Sequence, residues 1–176
     1  MTRFIRWLAC AVLAFSLAAC GFQLRGTAGS TVHQMPFGSV YLSGGDGSLK
    51  PYLRTALRRQ PHVTVTVSAK DAEAALTITE EKVSKDILTI NSAGKVNEYQ
   101  LIYRVTARLS QRGVAWGPDM TVIVRRSLGY SDSAILGKEQ EETLLWNDMR
   151  RDAAEQLVTR LGYLKEAPGE HAGTQP

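Results

Sequence analysis

The chain has 176 residues, 44% of them hydrophobic, with 21 Lys and Arg against 17 Asp and Glu, for a formal net charge of +4. That excess is too small for the basic footprint of a nucleic-acid-binding protein. The length suffices for one ordinary hydrophobic core.

Thr2, Arg3 and Arg6 make a short polar, basic start, and Trp7 to Leu17 is then apolar apart from Ser16. Crossing a bilayer takes about 20 apolar residues. This run is roughly half as long and fits the core of a signal peptide. It closes on Leu17-Ala18-Ala19-Cys20, which looks like a bacterial lipobox. Residues 1–19 are therefore expected to be removed, leaving Cys20 lipid-modified at the mature N-terminus. The competing readings are an ordinary secretory signal that ends in cysteine, or a buried N-terminal helix. The other cysteine, Cys10, falls in the discarded segment. The mature chain thus has no internal disulfide and no cysteine-ligated metal. Loss of Arg3 and Arg6 halves the net charge. Each buried methylene contributes about 0.8 kcal/mol, so two or three acyl chains on Cys20 make attachment effectively permanent. Gly21 stands where Asp would signal retention in the inner membrane, which favours the outer membrane, on its periplasmic side.

Residues 20–38 read as the lipidated tether, with Gly26 to Gly38 loop-like. Ser39 to Leu42 is a short strand, and Gly44-Gly45-Asp46-Gly47 forces a turn. A helix follows from about Ser48 to Gln60. Leu49, Tyr52, Leu53, Ala56 and Leu57 form its apolar face, and Lys50, Arg54 and Arg58 the other. Pro51 suits its first turn and Pro61 ends it. Val63, Val65 and Val67 alternate with polar residues as a strand. Ala74 to Lys82 and Asp86 to Ile90 read as one longer, bent strand, too polar between Glu80 and Lys85 to be covered on both faces. Asn91-Ser92-Ala93-Gly94 is a hairpin turn. In the next strand Tyr99, Leu101, Tyr103, Val105, Ala107 and Leu109 face one way; Arg104 and Arg108 belong to the opposite, polar and basic set. Arg112-Gly113 turns the chain into a strand from Met120 to Arg126. After a loop from Gly129 to Gly137, a helix from Lys138 to Leu161 carries a stripe of Leu145, Met149, Ala153, Leu157 and Leu161, with Gly162 as its stop. Residues 39–165 form the domain, and 166–176 are expected to be a disordered tail.

The order β-α-β-β-β-α and the one-sided alternation predict an α+β two-layer sandwich. Its mixed sheet has four or five strands, with both helices on the apolar face. The other face stays polar, basic and open to a partner. Charge is also segmented. Lys95, Arg104, Arg108, Arg112, Arg125 and Arg126 oppose only Glu98 and Asp119, whereas the stretch from Lys138 to Glu155 is acidic.

No enzyme chemistry emerges. His33, His62 and His171 share no helix face or metal spacing and read as solvated. There is no G-x-S-x-G elbow, and the glycines before the first helix suit a turn better than a phosphate loop. Glu80-Glu81 could supply a carboxylate pair. Glu139, Glu141 and Glu142 complement the dipole at the start of the second helix. No cofactor, metal or nucleic acid is expected.

Several segments resemble one family. Cys20-Gly21-Phe22-Gln23-Leu24-Arg25 is similar to the C-G-aromatic-x-L-R mature start of the LptE family of lipopolysaccharide-assembly lipoproteins. Asn97-Glu98-Tyr99-Gln100-Leu101, then Arg125-Arg126-Ser127 with Tyr130, then Leu136-Gly137-Lys138-Glu139-Gln140-Glu141, follow the family's order and spacing. Asp148 to Leu157 resembles its final helix. Gly137 departs from a usual Ala, and Leu128 from a common aromatic. The resemblance implies an outer-membrane lipoprotein that plugs the lumen of the LptD β-barrel as a 1:1 partner, assists its assembly, and binds lipopolysaccharide. A polar sheet face suits a polar barrel lumen.

On that resemblance, Phe22 and Leu24 would rest on the barrel or bilayer interface. The loops around Asn91 to Lys95 and Gly129 to Gly137, with Ser92 and Ser131, would touch the barrel. Phosphates and acidic sugars need fixed cations, and Arg offers them bidentate contacts. Lys138 matches the family's basic residue. Arg125, Arg126 and, more weakly, Lys95 complete the candidates. Alternation places Arg125 and Arg126 on opposite faces, and Arg125, on the polar side with Thr121, is the favoured one. A lipid-tethered adaptor of another envelope machine, or a tethered hydrolase, are the other classes. What the solubilised protein brings down would separate them.

Overall fold

The computed structural model describes residues 35–131 and 135–164. The signal peptide, Cys20, Phe22, Leu24, His33, the tether up to Gln34, the tail with His171, and residues 132–134 of the second loop lie outside the described residues. The first strand, β1, is Ser39–Gly44. Val40 and Leu42 point into the core and their neighbours do not, as a half-covered strand requires. At its end the chain turns away through Gly44, at φ 72°. A Cβ on Gly44 would collide with the Ile78 carbonyl oxygen, so only glycine fits there.

Helix α1, Lys50–Arg58, starts with Pro51 in its first turn and buries Leu53, Ala56 and Leu57. It is shorter than its periodicity suggests. Arg59 N–H donates to Ala56 O, a tightened last turn just before Pro61. β2 is only Thr64–Thr66. Val67, expected to extend it, is 96% exposed, because Ser68 instead caps a 3₁₀ turn at Ala69–Asp71.

β3, Ala74–Ile90, is a single strand that pairs antiparallel with β4, Val96–Gln111, across the Asn91–Gly94 turn. Their register shifts between Ile78 and Glu80, so Thr79 forms a bulge. Arg112 (φ 49°) and Gly113 (φ 82°) make a tight turn into β5, Val114–Ala115, a strand the periodicity could not show at two residues. β6, Met120–Gly129, outlasts its expected end at Arg126. α2 runs over Ile135–Leu161, so Gly137 belongs to the helix and not to the preceding loop.

The sheet has six strands, in the order β2-β1-β3-β4-β5, with β6 also on β4. β1 is parallel to β2 and β3, and the other pairs are antiparallel. The strand that was not expected is the two-residue β5, whereas β2 is the expected Val63–Val67 strand cut short. The architecture is the expected α+β two-layer arrangement. The inward residues are Val40 and Leu42, Leu76 and Ile78, the Leu101 to Leu109 alternation, and Met120, Val122, Val124 and Leu128. They pack under Leu53 and Leu57 of α1 and Met149, Ala153, Leu157 and Leu161 of α2. The four-residue repeat on α2 supplies that stripe.

Candidate binding face

Opposite the helices, the sheet presents a polar surface built by the same two-residue alternation. Ser43 and Thr77 share a hydrogen bond of 2.9 Å, and Thr106 and Thr121 one of 3.0 Å. Arg108 grips Asp119 with two bonds of 2.6 and 2.8 Å. That ion pair holds the Asp119 carboxyl below its ordinary range. Across β4, Lys82 is registered with Arg104, and Ile102 with Arg125. Lys82 reaches Glu80 at 2.8 Å. The hydrogen bond and charge of Lys82 hold the Glu80 carboxyl below its usual range, with smaller help from Thr106 and Arg104.

The expected lipopolysaccharide ligands fall into different settings. Arg125 is exposed on this open face, and among the described residues its guanidinium has no hydrogen-bond or ion partner. Arg126 lies on the helix side opposite Leu101, and its Nη2 donates to Asp152 at 2.9 Å. It ties β6 to α2. Lys138, in the first turns of α2, donates to Glu141 at 2.7 Å. Its Nζ is 3.9 Å from where a side chain on Gly129 would begin. Gly129 shares the face of Arg125, four residues or about 13 Å along β6. The fold therefore brings Lys138 and Arg125 towards one surface and draws Arg126 away. Lys95 sits at the far hairpin, where Asn91 Oδ1 accepts from its N–H at 3.0 Å, and it has interactions of its own. Ser92 and Ser131 are both exposed, Ser92 at the hairpin tip and Ser131 beyond the end of β6.

Two features escaped the sequence reading. Lys82 joins Arg104 and Arg125 only through the bulge-dependent register. The second is a polar node on the helix side, where Glu81 Oε1 accepts from Tyr103 Oη at 2.5 Å and Ser48 Oγ at 2.6 Å. Arg150 Nε donates to that Ser48 Oγ at 3.0 Å. Burial, reinforced by the Glu81 carboxylate, pushes the Tyr103 phenol far above its ordinary value. A backbone N–H from Ser48 holds Asp46 below its ordinary value. The node joins the turn before α1, β3, β4 and α2. It orients no nucleophile against a base, and its groups serve as a structural tie.

A groove of about 250 Å³ between the helices is lined by Tyr52, Thr55, Ala56, Arg59, Arg151 and Glu155. Arg59 and Glu155 pair beside it at 3.3 Å. Among the described residues no three His, Cys, Asp or Glu converge as a metal site. No described helix is long and apolar enough to cross a membrane.

The described residues form a two-layer α+β module whose sheet leaves one hydroxyl- and cation-bearing face uncovered by the helices. The comparisons with known proteins carry this further. Residues 32–161 match the LptE family profile, described as lipopolysaccharide-assembly. LPS-assembly lipoprotein LptE of Pectobacterium atrosepticum is 30% identical over 148 residues, 82% of this chain and 77% of the relative. Its namesake in Yersinia enterocolitica is 32% identical over 148 residues, 82% and 69% of the two chains. Among solved structures, lipoprotein B of Nitrosomonas europaea superposes with a TM-score of 0.67 at 30% identity, covering 81% of this chain and 90% of that one. Rare lipoprotein B of Shewanella oneidensis gives 0.60 at 26%, covering 70% and 92%. The chain belongs to the LptE family of lipopolysaccharide-assembly lipoproteins.

Proposed function

We propose that this protein is lipid-anchored through Cys20 to the periplasmic side of the outer membrane, with residues 1–19 as its signal peptide and 20–38 as the tether. There it forms a 1:1 plug-like complex with the LptD β-barrel, assists assembly of the barrel, and binds lipopolysaccharide for insertion into the outer leaflet. It catalyses no reaction. Family membership supports the pathway. The observation that carries the rest is the open sheet face, polar from Ser43 to Ser127 apart from the half-buried Ile102 and Ile123. On it Arg125 lacks a side-chain partner among the described residues, and Lys138 approaches from the end of β6. A polar lumen can accept such a face without stranding apolar surface in water. Lys138 and Arg125 are the leading contacts to phosphate. Arg126 is reassigned to the β6–α2 tie, and Lys95 remains a minor candidate at the hairpin.

Two measurements test this reading. Photo-crosslinkers at Ser92 and Ser131 should capture the barrel in cells, and capture from buried Leu101 but from neither loop would remove the packing arrangement. Reversal of both Lys138 and Arg125 to Glu should weaken lipopolysaccharide binding and its salt-sensitive part, with native circular dichroism and an intact barrel complex. Undiminished binding would move the ligand elsewhere.

A further inference from the structure

The open face carries a charge arrangement that folding alone disfavours. Lys82 and Arg104 are directly opposed across β3 and β4. Opposed like charges on one sheet face are destabilising, and their Cβ atoms lie only about 5 Å apart. Arg125 opposes Ile102, so it stands diagonally from Arg104, at about 7–8 Å. Three cations thus occupy two neighbouring rows of the sheet, Lys82–Arg104–Ile123 and Ser84–Ile102–Arg125. Those rows contain no carboxylate. The flanking rows hold Glu80, engaged by Lys82 at 2.8 Å, and Asp86, which accepts from Ser84 at 3.2 Å. Neither the Arg104 nor the Arg125 guanidinium makes a hydrogen bond or ion pair among the described residues. Arg104 projects from β4, flanked by β3 and β6, and Arg125 from β6 where it is laddered to β4, so their backbones are held by strand pairing.

From this geometry we infer that Lys82, Arg104 and Arg125 form a subsite for a phosphate group on a lipid-borne sugar headgroup. The inference rests on the proposed binding of lipopolysaccharide and adds to it a place where phosphate is read. Two guanidiniums can each offer paired N–H donors to phosphate oxygens while Lys82 supplies a point charge. The hydroxyls of Thr106 and Thr121 lie in the adjoining row. Glu80 is the built-in competitor, because it occupies the cation an anion would otherwise use.

The test uses the full-length protein in detergent, with deep-rough lipopolysaccharide and the same material treated with phosphatase. The wild type should bind the phosphorylated form at least about tenfold more tightly, the worth of a single charge-assisted hydrogen bond. Combined Lys82→Gln, Arg104→Gln and Arg125→Gln should remove most of that preference, leaving only the share that Lys138 contributes. A charge-matched control, Arg54→Gln, Arg58→Gln and Lys70→Gln, should keep it. Glu80→Gln should act in the opposite direction and widen the preference, which covers the case of a triple variant that does not fold. Equal wild-type binding of both forms would overturn the subsite and leave lipopolysaccharide recognition standing. A preference that survives undiminished in the folded triple variant, or that Glu80→Gln leaves unchanged or narrows, would place phosphate reading elsewhere. A wild type that binds neither form would overturn both the subsite and the reading beneath it.

Discussion

The two halves of β3 share one backbone ladder but not one environment. From Ala74 to Ile78 every second residue is buried between β1, β4 and the helices. From Lys82 to Ile90 every residue is exposed, including Val83 at 56% and Ile87 at 60%. β1 pairs β3 only as far as Gly44 and Ile78, so beyond the bulge β3 is an edge. Its charges, Lys82, Lys85 and Asp86, and its register irregularities are devices that keep an edge from pairing indiscriminately. β4 remains flanked by β6 from Glu98 to Ala107, which keeps the outer hairpin from being an isolated ribbon. The inner half of β3 gains its stability from packing. The outer half holds its shape through β4 and a few polar ties, and the surface it presents suits contact with other molecules.

The largest expected contrast is between the packed core and the outer half of β3. Leu157→Ala, at a fully buried position between α2 and the sheet, should cost about 2–5 kcal/mol in urea unfolding. Ile87→Ala should change stability by about 0.5 kcal/mol or less. Comparable losses at both sites would mean the hairpin is covered in solution.

Backbone substitutions should sharpen the same division. Gly44→Ala combines positive φ with a collision on the Ile78 carbonyl. It should cost about 3 kcal/mol or more, since strain at positive φ is compounded by displacement of a paired strand. Gly94→Ala, at φ 75° but with open space around it, should lose only about 1 kcal/mol. Thermal unfolding of the two variants measures the difference, and equal shifts would make local strain, not packing, the deciding factor.

The smallest effect concerns the tie between hairpin and helix. Lys85 Nζ donates to Glu142 at 2.6 Å and lies 4.5 Å above the Tyr99 ring. Burial pushes the Glu142 carboxyl upward, but hydrogen bonds from Lys85 and Trp146 outweigh it and leave its pKa depressed. A depressed carboxyl stabilises the fold above its unfolded pKa, and that contribution disappears as pH falls through the lower folded value. Hydrogen exchange in residues 82–90 should therefore speed up as pH falls below about 4.5, relative to the intrinsic exchange rate. Lys85→Met should remove that pH dependence at a cost of about 1 kcal/mol or less. An acid response that persists in Lys85→Met would assign it to another carboxylate.

Much of the fold was legible because its signals are local. The alternation from Tyr99 to Leu109 and the four-residue stripe on α2 each need only one element's own period to declare a face. The same period separated Arg125 from Arg126. Their fates differ because α2 places Asp152 over one face and nothing comparable among the described residues over the other. Where the signals were short or conditional, the reading slipped. Two residues of β5 have no period, and Val67 alternates correctly but stands directly before Ser68, whose capped turn leads the chain out of the sheet.

The sequence by itself determined the two-layer architecture, the inward faces of β4, β6 and the two helices, and the family. Hydrophobic spacing and short motifs are properties of contiguous residues. The tertiary structure alone decided which polar residues meet. One extra residue at Thr79 reverses the alternation of β3, sending Glu81 inward to Tyr103 and Ser48 and setting Glu80 and Lys82 on the open face beside Thr106 and Arg104. A bulge is a property of two paired strands, since it counts one chain against the other. No period read along β3 alone contains that information.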